Sequence, residues 1–179
     1  MEQIGNFLKR IFFLFKKEEA KANLLLHFLH IMLMLFLKKE WKGVFIVSNI
    51  HHIKVYFGDT DAAGIVYYPN YYRWMDQAAH EFFRAKGYAL SELQTEKNII
   101  VPLVEANCSF KQPLFYEDEV EVHTKVSEIK NKILKLEHRF VREDEEIAAG
   151  YEIRAWTKKQ EDFLRAETVP EHIIDILKA

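Results

Sequence analysis

Hydrophobic and polar residues alternate with a period of two through most of the second half of the chain. Val120, Val122, Thr124 and Val126 alternate with Glu121, His123 and Lys125, and Leu134, Leu136, His138 and Phe140 alternate with Lys135, Glu137 and Arg139. Ile147, Ala149, Tyr151, Ile153 and Ala155 repeat the pattern against Glu152 and Arg154, which puts those two charges on the wet face. Successive side chains of a strand point to opposite faces, so these runs predict long strands with one face buried and one solvated. The turns between them are short and polar, Lys130-Asn131-Lys132 and Glu143 to Glu146, which predicts antiparallel pairing. An earlier strand is expected over Ile53 to Phe57, ended by Gly58-Asp59, and Pro170 to Lys178 reads as a short closing helix.

Between Tyr71 and Lys86 the period changes. Tyr71, Tyr72, Trp74, Met75, Ala78, Ala79, Phe82, Phe83 and Ala85 occupy most directions around a helix, and Arg73, Gln77, His80 and Arg84 form one narrow polar stripe. A helix so apolar around its circumference is normally buried. Pro69 suits its first turn, where a missing N–H costs nothing, and Gly87 supplies the stop. The order is strand, buried helix, then about four antiparallel strands. An α+β domain, one sheet of about five strands wrapped around one long helix, is the economical solution.

Residues 1 to about 46 read differently. Two apolar runs, Ile11 to Phe15 and Leu24 to Leu37, flank Lys16-Lys17-Glu18-Glu19, and the second run contains His27 and His30. It is shorter than the roughly 17 to 25 residues that span a bilayer, and no small-residue cleavage site precedes the folded part. Three readings stay open: an interfacial helix touching a membrane, a poor anchor, or sequence that is not normally translated. The third is preferred. Lys42-Gly43-Val44 can be encoded with a ribosome-binding consensus, and a GTG codon for Val47 would follow at a suitable distance in a bacterial gene. The working division is therefore an extension over 1–46 and a folded domain over 47–179.

Composition narrows the function classes. The chain has 179 residues, of which 49% are hydrophobic and 14% aromatic, and a formal charge of -2, a balance that fits one packed domain and lacks the basic surplus of a nucleic-acid binder. Cys108 is the only cysteine, so no internal disulfide can form and a reducing, cytoplasmic setting fits. Within the β-type run from Val101 to Phe110 it reads as a core residue rather than a catalytic thiol. His51-His52, His123 and His138 lack zinc-ligand spacing, so no metal is expected.

The chemistry concentrates in Asp59-Thr60-Asp61-Ala62-Ala63-Gly64-Ile65-Val66-Tyr67-Tyr68-Pro69-Asn70. A calcium loop needs oxygen ligands where Ala63 and Asn70 stand, and a helix before it, so that reading fails. A haloacid-dehalogenase type of phosphotransferase also places Asp-x-Asp after a strand, but Ala63 is wrong for it and the parallel βα units are missing. A carboxylate at the mouth of a buried helix, by contrast, can act as base or nucleophile towards a carbonyl. The free N–H groups of the first helical turn can hold the developing oxyanion. Asp61 is the candidate carboxylate. Tyr68, the last residue with an N–H before Pro69, is the candidate donor. Gly64 lets a substrate carbonyl lie against the backbone, while Asp59 reads as a turn residue. Tyr67, Tyr68, Tyr71 and Tyr72 read as core and pocket wall.

Phe57-Gly58-Asp59-Thr60-Asp61-Ala62-Ala63-Gly64-Ile65-Val66-Tyr67-Tyr68-Pro69-Asn70-Tyr71, with Arg73-Trp74-Met75-Asp76, resembles the 4-hydroxybenzoyl-CoA thioesterase family of hotdog proteins. Weaker similarity runs through Asn107 to Phe110 and Leu164 to Pro170, so it covers about residues 51 to 175. The resemblance implies a hotdog fold and hydrolysis of an acyl-CoA thioester, with Asp61 as the catalytic carboxylate and the Tyr68 N–H polarising the carbonyl. Gly64 and Tyr67 would line the substrate. Lys130, Lys132 and Arg165 stand where the family meets the phosphates of coenzyme A, which is part of the substrate, and no separate cofactor is implied. A homodimer or tetramer, with sites shaped between subunits, is implied as well. Ile100-Val101 before Pro102 replaces a Gly-Thr of the family and implies a bulkier, less polar acyl wall. Two alternatives are carried: a Tol–Pal-type thioesterase for short or medium aliphatic chains, and a non-catalytic acyl-CoA or acyl-carrier binder.

Overall fold

The computed structural model describes residues 49–179, so the expectations for 1–46 and for a start at Val47 lie outside the described residues. In chain order the elements are β1 (Asn49–Lys54), a 3-10 turn (Phe57–Asp59), α1 (Pro69–Ala85), α2 (Leu90–Lys97), β2 (Ile99–Ile100) and β3 (Leu103–Phe110). They continue with β4 (Glu119–Lys130), β5 (Ile133–Arg142), β6 (Glu145–Ala155), β7 (Thr157–Lys159), β8 (Leu164–Ala166) and α3 (Glu171–Lys178). Five strands form one sheet in the order β1-β4-β5-β6-β3, with every neighbouring pair antiparallel. A smaller antiparallel sheet, β2-β7-β8, was not foreseen, and neither was α2; their segments are too short to show a period.

The long helix α1 buries Tyr71, Trp74, Met75, Ala78, Ala79, Phe82 and Phe83, while Arg73, Gln77, His80 and Arg84 stay exposed as their spacing predicts. Its stop is also as expected. Gly87 has φ +78°, and the Tyr88 N–H reaches back to the Phe83 carbonyl at 2.9 Å. The apolar face meets two clusters. One gathers Tyr71, Trp74 and Met75 with Val122, Phe140 and Ala148; the other gathers Phe82 and Phe83 with Leu134, Leu136, Trp156 and Leu177. Each fully buried side chain of this size contributes up to about 1.5–3 kcal/mol. The helix sits close to the sheet at Gly150, where a Cβ would lie 2.6 Å from Met75 Sδ and 2.5 Å from the Asn107 carbonyl oxygen.

Two expectations need correction. The first strand ends at Lys54 rather than Phe57, because the Asp59 N–H donates to the Tyr56 carbonyl and its carboxylate accepts the Tyr56 N–H, curling the chain into the 3-10 turn. Glu152 and Arg154 face the core rather than solvent, 1% and 3% exposed. The cause is a bulge. Phe140 pairs with Ala148 but Val141 pairs with Glu146, so Ile147 is an extra residue and the alternation of β6 reverses beyond it. Ala148, Gly150, Glu152 and Arg154 then share the inner face.

Candidate active site

The segment between the 3-10 turn and α1 folds into a small hairpin. Thr60 bridges Val66, the Asp61 N–H donates to the Ile65 carbonyl at 2.9 Å, and the Gly64 N–H donates to the Asp61 carbonyl at 2.9 Å. Gly64 closes it with φ +76°, a left-handed conformation costly for side chains with a Cβ. A Cβ there would meet nothing within 4 Å, so the space above Gly64 is open.

The two aspartates of this loop do different jobs. Asp59 is buried at 8% exposure; its carboxylate accepts the Tyr56 N–H at 2.9 Å and pairs with Arg73 of α1 at 2.5 Å. Its carbonyl accepts the Asn70 side-chain amide at 2.8 Å and the Tyr67 N–H at 2.9 Å. Asp59 therefore bolts the loop to the start of the helix. Asp61 is exposed at the hairpin turn, and its Oδ1 accepts the Ala63 N–H at 2.8 Å. Among the described residues no cation pairs with it, so the second carboxylate oxygen is left open for a proton or a carbonyl carbon.

At the helix start the Asn70 N–H is taken by the Tyr67 carbonyl at 2.9 Å and the Tyr71 N–H by the Tyr68 carbonyl at 3.2 Å. Pro69 has no N–H. The Tyr68 amide, with helical φ −52° and ψ −32°, finds no acceptor among the described residues, and it lies at the positive end of the helix dipole. Asp61, Gly64, Tyr67 and Tyr68 are thus brought together by one hydrogen-bonded loop. Tyr67 and Tyr68 are 49% and 58% exposed, so they rim the site instead of filling the core as Tyr71 does. Phe57, Phe115 and Tyr116 are exposed nearby in the chain's pairing, since Ile65 bridges Phe115 and the Phe57 ring meets Tyr116 edge-on. Cys108 is no rival nucleophile: burial pushes its thiol up to about 12.

A family model described as the thioesterase-like superfamily matches residues 55–177. The chain belongs to the thioesterase-like superfamily. Among solved structures, a gentisyl-coenzyme A thioesterase is 43% identical with a TM-score of 0.63, the match covering 72% of this chain and 98% of that one. The 4-hydroxybenzoyl-CoA thioesterase of Pseudomonas sp. strain CBS-3 is 31% identical with a TM-score of 0.68, covering 73% and 99%. An aspartate-to-asparagine mutant of 4-hydroxybenzoyl-CoA thioesterase, solved in complex with 4-hydroxybenzoyl-CoA, is 29% identical with a TM-score of 0.68 over 73% and 98%. The hotdog architecture expected from the motif is therefore the fold of this thioesterase-like domain.

Lys130, Lys132 and Arg165 do not join the Asp61 loop within the chain. Lys130 ends β4, at the opposite end from Glu119, which pairs with Lys54 beside the loop. Twelve residues of strand span roughly 35 Å at about 3.3 Å per residue. Lys132 lies in the next turn, docked by its carbonyl on the Trp156 N–H at 2.8 Å, and Arg165 sits opposite Lys158 on β8. All three cations are exposed, and Lys130 is paired to Glu128 at 2.5 Å. Thr124 and His138 lie on the buried face as their alternation predicts, but the pattern missed that Glu152 and Arg154 join them in a buried polar layer beneath α1. The bulge at Ile147 was the missing signal, because it alone turns the two charges inward. Among the described residues no three metal-ligating side chains converge, and no helix is long and apolar enough to cross a membrane.

Proposed function

We propose that this thioesterase-like domain hydrolyses an acyl-CoA thioester to the free acid and coenzyme A, with Asp61 as the reacting carboxylate. The observation that carries the reading is an exposed Asp61 beside a helix start, where among the described residues no cation meets Asp61 and no acceptor takes the Tyr68 N–H. The relatives named as gentisyl- and 4-hydroxybenzoyl-CoA thioesterases support the substrate class. In the reaction a thioester carbonyl lies over Gly64 with its oxygen on the Tyr68 N–H. Asp61 takes a proton from water as the hydroxyl oxygen bonds to the carbonyl carbon; the tetrahedral intermediate then expels the thiolate of coenzyme A, which collects the proton. Direct attack by Asp61, giving a mixed anhydride that water hydrolyses, uses the same geometry. Coenzyme A enters as substrate, and neither route needs a cofactor.

A site completed by a second copy is part of the proposal. Within one chain, β4 puts roughly 35 Å between Lys130 and the strand end beside the Asp61 loop, further than an extended pantetheine arm reaches. Strand β3 is an edge of the sheet and exposes Leu103 and Val104, a surface suited to edge-to-edge pairing with another chain. One chain's cations would then hold the phosphates of the ester at its partner's Asp61. A cytoplasmic location is part of the proposal, supported by the single cysteine, Cys108, which suits a reducing compartment. The direct test is turnover of a panel of aromatic and aliphatic acyl-CoA esters, followed by thiol release. Hydrolysis of at least one ester supports the proposal; binding without hydrolysis of any favours the non-catalytic binder.

A further inference from the structure

The buried polar layer has no part in the reaction just described, yet it is expensive to keep. His138 Nδ1 lies 3.0 Å from Thr124 Oγ1, and its Nε2 lies 3.7 Å from Glu152 Oε2. Arg154 Nε donates to Glu152 Oε2 at 2.9 Å, Nη2 donates to Asp76 Oδ1 at 2.5 Å, and Nη1 reaches the Val101 carbonyl at 3.4 Å. The layer separates the two apolar clusters: Val122 and Phe140 belong to one, Leu134 and Leu136 to the other, with Thr124 and His138 between them in the strands. Apolar side chains of the same volume would fill this space with no desolvation of charge, so stability alone does not call for the arrangement.

Position does. Arg154 ties three segments to one guanidinium: β6 through Glu152, the chain ahead of Pro102 through Val101, and α1 through Asp76. Asp76 lies eight residues beyond Tyr68, about 12 Å along the helix at 1.5 Å per residue. The same helix is tied at its start to the Asp61 loop, through Arg73 and Asn70 on Asp59. The Tyr68 N–H is therefore referenced to the loop at one point and to the sheet at another. A donor for a developing oxyanion must be placed to a fraction of an ångström, and an error of about 1 Å costs about a hundredfold in rate. We infer that Asp76 and Arg154 are positioning residues of the hydrolytic site, fixing where α1 sits on the sheet and hence where the Tyr68 N–H meets the thioester carbonyl. The inference rests on the proposed hydrolysis.

The experiment measures kcat, KM and thermal midpoint for the full chain and three variants, with an ester that the wild type hydrolyses. Asp76→Ala removes the helix-side anchor at a half-exposed position and leaves Arg154 paired with Glu152. Asp76→Asn keeps an acceptor for the Arg154 N–H and serves as the conservative variant. The double variant Glu152→Gln/Arg154→Met removes the clamp while leaving no unbalanced charge between β6 positions, so a folded protein is available even where Arg154→Met alone is not. Expected are a tenfold to hundredfold loss of kcat, about what a misplaced donor costs, in Asp76→Ala and the double variant. KM stays within about threefold, and Asp76→Asn recovers much of the loss. Folded variants with kcat within twofold of wild type, or a loss confined to KM or to the thermal midpoint, overturn the positioning role. An active wild type beside such variants defeats this inference alone; a wild type inactive on every ester defeats the hydrolysis and this inference with it.

Discussion

The Asp59 carboxylate meets the Arg73 guanidinium at 2.5 Å, and Asp61, two residues on, meets no cation among the described residues. One loop thus carries a spent carboxylate and an open one. Removing Asp59 loosens the loop. Asp59→Ala deletes a buried acceptor for the Tyr56 N–H as well as the Arg73 partner, and should lower stability by about 1–3 kcal/mol. Arg73 is half exposed, so most of that loss comes from the unsatisfied amide, and high salt should change it little. Urea unfolding at low and high salt checks this; a loss that vanishes in salt would contradict it.

Gly150 should be hard to replace. Gly150→Ala puts a methyl within 2.6 Å of Met75 Sδ and 2.5 Å of a β3 carbonyl, so either α1 lifts or the sheet edge shifts. Overpacking of this kind costs about 1–3 kcal/mol. The thermal midpoint should fall and kcat with it, since the lifted helix carries the Tyr68 N–H. An unchanged midpoint would contradict the tight packing of β6 against both Met75 and the Asn107 carbonyl.

Much of this was legible in the sequence, and the failures have specific causes. Period-two alternation located β4 and β5, and the near-continuous apolar circumference of Tyr71 to Lys86 located α1, since burial on a sheet enforces both patterns. Pro69 and Gly87 marked the ends of that helix for reasons local to the backbone. Asp61 was singled out as the candidate carboxylate by its neighbours Gly64, Tyr68 and Pro69, all local in sequence. The pairing of Asp59 with Arg73 was not, because it joins residues fourteen apart whose proximity depends on the hairpin. The inward turn of Glu152 and Arg154 was invisible for a similar reason. One extra residue in β6 inverts a face, and no residue type announces a bulge.

The buried Glu152 gives the fold an acid-sensitive component. Burial pushes its carboxyl up, but His138 and Arg154 beside it outweigh burial and bring it below the usual 4.5. The folded state therefore binds that proton less readily than the unfolded chain. Its contribution is fully present above about 4.5 and is lost as pH falls through the lower folded value. His51, lowered from 6.5 by burial against the opposing pull of Glu81, adds a loss that begins as pH drops below that value. Urea midpoints between about pH 7 and pH 3 should fall in both wild type and Glu152→Gln, with the variant flatter at the acid end. Parallel curves would remove Glu152 from the account.

The exposed cations Lys130, Lys132 and Arg165 should act on affinity and act across subunits. Lys130→Ala/Lys132→Ala/Arg165→Ala should raise KM for acyl-CoA about tenfold and leave kcat within about twofold, as expected for exposed charge-assisted contacts to phosphates. Co-refolding this triple variant with Asp61→Asn should restore low-KM turnover, because in a mixed pair one site receives Asp61 and the cations intact. Mixtures no more active than the sum of their parts would place the complete site within one chain.

Asp61 is the reacting carboxylate of the proposed hydrolysis, and Asp61→Asn tests that role with little structural disturbance. Asparagine keeps the Oδ1 that accepts the Ala63 N–H at 2.8 Å, so the hairpin and the thermal midpoint should be preserved. The base or nucleophile is lost, and kcat for the best acyl-CoA ester should drop by about 100- to 10,000-fold with KM nearly unchanged. A folded Asp61→Asn protein that turns over the ester at the wild-type rate would contradict the account.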